Sequence, residues 1–228
     1  MKIAVLFKGS SISSYEHWQF KDKVSVHYKN TINNIKQNLL EKYDCDVFMH
    51  SWVQNAFDAS EYEKLVDDYK PKSYILDNDI DGTFGTPLGK KVLMSTKKVF
   101  DIFENYRKEN NIIYDLVIVL RFDIYFLQDF DLRNILDIKD LNNKVFVYAL
   151  GPHLQQQSID KNSVKDQGID DNFIIFTPDT VAKYRECLAQ KDKTTAYATS
   201  RSNEFFLPTQ HCSLHHIYYL LSDDIEKT

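Results

Sequence analysis

The sequence predicts a single α/β domain built on a mostly parallel sheet flanked by helices, and three observations predict it. The run Leu116 to Leu120 is aliphatic throughout, rich in β-branched residues and too short for an average helix. It reads as a strand buried on both faces. Ile3 to Phe7 and Asp46 to Trp52 are two more strand-like runs, separated by Ile32, Ile35, Leu39 and Tyr43 at helical spacing. Strand, helix and strand in that succession make one right-handed crossover of a parallel sheet. Finally, these strands end in polar or aromatic groups: Lys8-Gly9-Ser10-Ser11, Ser51-Trp52 and Arg121-Phe122-Asp123. Open α/β folds place their ligands at that carboxyl edge.

Taken in order, the first strand leads into a loop where Gly9 lets backbone N–H groups approach a phosphate or a base. The loop carries neither a Gly-x-Gly-x-x-Gly nor a Walker lysine motif. Asp58 to Tyr69 reads as a polar helix closed by Pro71, and Ser73 to Leu76 as a short third strand. It opens into a loop from Asp77 to Pro87 that includes Asn78. Asp77, Asp79, Asp81 and Gly82 follow the spacing of a calcium loop, but Leu88 stands where the last acidic ligand is required and no helix clearly precedes. A flexible loop over a site is the preferred reading. Val92, Thr96, Val99, Phe103 and Tyr106 form a long helical stripe that feeds the central strand.

Beyond it the pattern gives a short helix at Leu132 to Leu136, a strand at Val145 to Ala149 and a polar, mobile loop at Gln155 to Gly168. Phe173 to Phe176 is a further strand with Asp170 and Asp171 at its entrance. Thr177-Pro178-Asp179-Thr180 starts a helix whose buried stripe is Val181, Tyr184 and Leu188. Asn203 to Leu221 closes the chain as a terminal helix carrying Glu204, with His211 and His215 on one face and His216 beside them. A zinc protease would need Glu at position 212, and the residue is Cys. There is no internal repeat and no linker.

Composition excludes several classes. The 228 residues suffice for a substantial core, and a net charge of -5 without a stripe of Lys and Arg argues against nucleic acid as partner. Three scattered cysteines, Cys45, Cys187 and Cys212, make neither a disulfide framework nor a metal knuckle, and read as buried thiols in a reducing compartment. The apolar run from Ile3 to Phe7 is shorter than a signal-peptide core or a membrane span. A cytoplasmic protein is expected, in the host cytoplasm or the virion if the source is viral.

Arg121-Phe122-Asp123 is the leading constellation. A carboxylate at a strand end can hold a hard divalent cation, which takes oxygen ligands and brings a diphosphate with it. Arg121 beside it is suited to phosphate oxygens, or to fixing the Asp123 rotamer. The bland reading is an ion pair and a capped turn.

In order and separation, Phe7-Lys8-Gly9-Ser10, then Asp46 to Trp52, then Tyr114 to Asp123 resemble glycosyltransferases of the GT-A fold found among capsular-polysaccharide and large-DNA-virus proteins. The resemblance implies a GT-A-like sheet, a nucleoside diphosphate sugar donor (a UDP-sugar foremost), a glycan hydroxyl acceptor and assistance by Mn2+ or Mg2+. It implies donor contacts from Phe7, Lys8, Gly9, Ser10, Ser51, Trp52, Asn78 and Arg121. It makes Asp123 the metal ligand with His211 as a second, and Asp171 the base for an inverting transfer, with Glu204 the other candidate acid. The chain departs from the family pattern where Arg121 replaces the first residue of Asp-x-Asp and where Lys8 precedes the loop glycine. A nucleotidyltransferase and a non-catalytic carbohydrate-binding domain are the alternative readings.

Overall fold

The computed structural model describes residues 1–16, 23–79, 88–126, 129–132, 145–148, 173–177, 180–182, 184–185, 209–212 and 217–219. Its strands are β1 (Lys2–Lys8), β2 (Ile12–Glu16), β3 (Lys23–His27), β4 (Asp44–Val53), β5 (Ser73–Asn78), β6 (Leu116–Arg121), β7 (Ile124–Phe126), β8 (Val145–Tyr148), β9 (Phe173–Phe176), β10 (Thr209–Cys212) and β11 (Ile217–Tyr219). Its helices are α1 (Ile32–Ile35), which runs on as a π-helical turn through Lys36–Leu40, α2 (Ala59–Tyr69) and α3 (Leu88–Glu109).

The main sheet has the order β10-β8-β9-β6-β1-β4-β5. It is mostly parallel and carries helices, as the GT-A resemblance implies; β9 runs antiparallel to both neighbours. Period-two alternation explains how β1 can be apolar from Ile3 to Phe7, between its terminal lysines. Ile3, Val5 and Phe7 join one core with Ile32, Ile35, Leu39, Leu65 and Tyr69 of α1 and α2, whereas Ala4 and Leu6 join a second core with Val99, Phe100 and Phe103 of α3. The central strands are thus sandwiched, which is why they read as continuous aliphatic runs.

Register sets the working edge. Lys8 at the end of β1 is paired with Arg121 at the end of β6, and Phe7 with Met49 of β4. β4 continues past that level, where Trp52 donates its N–H to the Gly9 carbonyl at 3.2 Å. Because β9 is antiparallel, its first residue, Phe173, lies opposite Leu120 at the same edge.

Several expectations change. Residues 209–212 and 217–219 are strands, so His211 lies on a strand and not on a helix; β10 extends the sheet and β11 pairs with β7, while Glu204, His215 and His216 lie outside the described residues. The hairpin of β2 and β3 lies in a stretch from which no element was expected, although Lys23-Val24-Ser25-Val26-His27 carries the alternating signal. Of the loop expected from Asp77 to Pro87, residues 80–87 lie outside the described residues. Asp77 and Asn78 finish β5, Asp77 pairs with Lys98, and Asp79 pairs with Lys91. Most of Leu132 to Leu136, together with Gln155 to Gly168 and Leu188, lies outside the described residues.

Candidate active site

The site is built on the carboxyl ends of β1, β4 and β6. At the end of β6, Arg121 donates from Nε to Asp123 Oδ1 at 2.8 Å and from Nη2 to Oδ2, a bidentate pair. Asp123 is 3% exposed, whereas the Arg121 side chain is 38% exposed. The guanidinium therefore faces outward and is held from behind. Phe122 between them is fully buried against Phe7 and Tyr69, and its carbonyl accepts from Thr31 Oγ1. Tyr69 is buried beneath the same turn and its hydroxyl has no hydrogen-bond partner among the described residues. Burial pushes that hydroxyl's pKa well up, with nearby Tyr28, Asp68 and Asp123 adding to the effect.

The loop after β1 turns at Gly9, whose φ of +99° lies in the left-handed region that favours glycine. Its N–H does not point at a ligand position but donates to Ser95 Oγ of α3 at 2.7 Å. Ser51 is fully buried and also supports the loop. Its Oγ accepts from the Ser11 N–H at 3.1 Å and lies 2.8 Å from Ser11 Oγ. Ser51 thus braces the segment that contains Ser10 from below. Lys8 is 2% exposed, buried beside Arg121.

Trp52 is expected to offer a ring face to a base, and the structure assigns those surroundings differently. The His50 ring meets it edge-on at 4.8 Å, Lys98 Nζ lies 5.7 Å from its centroid, and the side chain is buried. Its indole Nε1–H has no partner among the described residues. Asn78 is exposed at the end of β5, opposite Val53.

His50 and Ser95 were not apparent as functional residues from sequence. Ser95 Oγ lies 2.7 Å from His50 Nδ1, and His50 Nε2 lies 3.1 Å from Asp77 Oδ2, which Lys98 also contacts. The signal that could have found them is a histidine inside an apolar strand, which must have partners on both nitrogens. Burial lowers the His50 pKa despite Asp77, and it lowers that of His27. For Asp77 burial acts upward, but the bonds from Lys98 and His50 outweigh it and hold the carboxyl low.

A pH dependence follows, with its sign fixed. A histidine whose pKa is depressed on folding is more readily protonated in the unfolded chain, so its destabilising effect appears as pH falls below the unfolded value of about 6.5. Thermal melts from pH 8 to pH 5 should show the midpoint falling below that value. A midpoint that stays level or rises would contradict neutral, buried His50.

Asp171 and Glu204 lie outside the described residues. His211 is in register with Val147, Val147 with Ile174, and Ile174 with Val119. Its backbone is therefore three strands from β6, roughly 14 Å at the usual strand spacing. It is level with the middle of β6, not with the edge that carries Asp123. The structure does not bring these two together.

The cation fits poorly as well. Both carboxylate oxygens of Asp123 are engaged by Arg121, and among the described residues no three His, Cys, Asp or Glu side chains converge. A divalent ion would have to displace the guanidinium from a buried carboxylate, where breaking a buried pair costs about 3–5 kcal/mol. Burial pushes the Cys45 thiol up to about 12, away from the thiolate that would bind a metal.

No protein family and no curated protein matches this sequence. Solved structures do. The chain is similar to HddC from Yersinia pseudotuberculosis, 11% identical over 100% of this chain and 97% of that one, with a TM-score of 0.51. It is also similar to the galactosyltransferase LgtC in complex with donor and acceptor sugar analogues (10% identity, 93% of this chain and 73% of that one, TM-score 0.47). A third is a glycosyltransferase involved in the glycosylation of the major capsid of PBCV-1 (8% identity, 92% of this chain and 81% of that one, TM-score 0.44). At such identities the likeness is one of fold, and the chemistry has to be read from the site itself. Among the described residues no helix is long and apolar enough to cross a membrane.

Proposed function

We propose that this protein transfers a sugar from a nucleoside diphosphate sugar, a UDP-sugar foremost, to a hydroxyl of a glycan acceptor. The observation that carries the reading is the Arg121–Asp123 pair at the end of β6, with Lys8 and the Gly9 loop beside it at the carboxyl edge. In the transfer, the acceptor oxygen bonds to the anomeric carbon as the bond from that carbon to the diphosphate oxygen breaks. The nucleoside diphosphate leaves, and the acceptor proton passes to a carboxylate.

The chain's own groups suit these tasks. A guanidinium locked by a carboxylate is pre-oriented, so its donors meet phosphate oxygens without reorganisation while charge grows on the leaving group. Lys8 adds a second cation next to it in register. The Gly9 to Ser11 loop and Trp52 border the nucleotide position. Asp171, two residues ahead of Phe173, is the proposed base for an inverting reaction, with Glu204 the alternative. Mn2+ or Mg2+, when bound, would supply Lewis-acid relief of diphosphate charge, and in this site the fixed cations take that part.

The test is a thermal-shift panel of nucleoside diphosphates and their sugars, each with manganese and with chelator. A ligand at a hundred times its Kd adds about 2.7 kcal/mol, a shift of several degrees. One sugar nucleotide should raise the midpoint equally in both conditions. If no nucleotide raises it, sugar transfer is the wrong activity. A shift seen only with manganese would keep the activity and return Asp123 to the metal. Release of pyrophosphate from a nucleoside triphosphate would instead mark a nucleotidyltransferase.

A further inference from the structure

The first loop is tied to three other elements by a continuous chain of hydrogen bonds. Gly9 N–H donates to Ser95 Oγ at 2.7 Å, Ser95 Oγ lies 2.7 Å from His50 Nδ1, and His50 Nε2 lies 3.1 Å from Asp77 Oδ2. Lys98 closes the chain on the same Asp77 oxygen. Each role is dictated by the next. Asp77, ionised against Lys98, only accepts, so a neutral His50 carries its proton on Nε2. Nδ1 is then an acceptor, the Ser95 hydroxyl donates to it, and a Ser95 lone pair is left facing Gly9.

This is not a hydrolytic triad turned inward. In such a triad Nε2 faces the nucleophile and Nδ1–H the carboxylate, whereas here the two nitrogens are exchanged. Ser95 and His50 are both fully buried, and the Ser95 oxygen already receives the Gly9 N–H. No substrate reaches that hydroxyl. Among the described residues, the charged groups facing His50 are Asp77 from β5 and Lys98 from α3, and both belong to the chain.

We propose that His50 and Ser95 are positioning residues for the donor: through Ser95, the His50 tautomer set by Asp77 holds Gly9 in its left-handed conformation and so shapes the loop that receives the nucleotide. The proposal rests on the sugar-nucleotide reading above. It explains why polar side chains occupy a fully buried junction of β4 with α3, where apolar ones would pack at lower desolvation cost.

The experiment is a double-mutant cycle on the full chain. Ser95→Ala removes the hydroxyl and leaves His50 paired with Asp77; His50→Phe keeps a ring in the junction and removes both the acceptor toward Ser95 and the donor toward Asp77. Calorimetric affinities are measured for the uridine, guanosine, adenosine, cytidine and thymidine diphosphates, and the tightest is carried through the cycle. Losing one such bond is worth about 1–1.5 kcal/mol, so each single variant should bind about tenfold more weakly. The double variant should be no weaker than either single one, because both break the same chain.

Losses that simply add, or a Ser95→Ala protein that binds like the wild type, would overturn the proposal. So would a Ser95→Ala protein whose melting temperature falls while its affinity holds, since that is what packing alone predicts. If no nucleoside diphosphate binds the wild-type chain, the failure belongs to the sugar-transfer reading, and the positioning role falls with it.

Discussion

Arg121→Ala should lower stability by about 3–5 kcal/mol and turnover by about two to three orders of magnitude. The two effects have one origin. Asp123 is 3% exposed and Arg121 is its described partner, so truncating the arginine leaves a carboxylate buried without its counter-charge. The reciprocal change is milder for stability. After Asp123→Ala the guanidinium remains, and with 38% of its side chain exposed it can hydrate. For turnover both changes should be severe, because Arg121 offers the donors and Asp123 aims them. Arg121→Lys should recover little, since an ammonium cannot make the two-pronged contact that fixes its direction. Urea denaturation of the three variants beside single-turnover transfer tests this ordering. A finding that Asp123→Ala is the more destabilising, or that Arg121→Ala transfers sugar normally, would show that the pair is not the centre of the site.

How far the sequence carried depends on where each residue's information lies. Strands buried on both faces announce themselves, since five consecutive aliphatic residues at Leu116 to Leu120 have few other uses; β1, β4 and β6 were legible within two residues of their ends. The carboxyl edge was legible for the same reason, because strand polarity fixes where Lys8, Ser51 and Arg121 emerge. What was hidden is non-local. His50 meets Ser95 across 45 positions and Asp77 across 27, and no spacing rule relates them. Asp77 and Asp79 fall on a calcium-loop spacing that lacks its last ligand, and the lysines that pair with them, Lys98 and Lys91, lie on the following helix, where no spacing rule finds them. The terminal segment failed for a different reason. The helical spacing of His211 and His215 does not decide residues 209–212, which pair with β8, or residues 217–219, which pair with β7. Tertiary pairing overrode a short local pattern.

Phe122→Ala should cost about 3–5 kcal/mol, as large-to-small changes of buried aromatics do, and its effect on the site should exceed what its chemistry suggests. Phe122 carries no functional group, yet it sits between Arg121 and Asp123 in the turn that joins β6 to β7. Its ring stacks on Phe7 at 5.2 Å and meets Tyr69 edge-on at 5.7 Å, while Thr31 grips its carbonyl. Phe7 is the last apolar residue of β1 before the loop that borders the proposed nucleotide position. One side chain therefore ties the Arg121 turn to the Gly9 loop, and the cavity left by alanine releases both at once. A displacement of about 1 Å at a reacting group can cost about a hundredfold in rate, so transfer should collapse under conditions where the variant is still fully folded. Phe122→Leu, which fills most of the space, should recover most of both losses. The comparison to make is turnover against donor affinity at a temperature well below every midpoint. If Phe122→Ala is destabilised yet binds and transfers as the wild type does, the pair keeps its aim from Thr31 and the sheet alone, and the aromatic contact beneath the turn serves stability only.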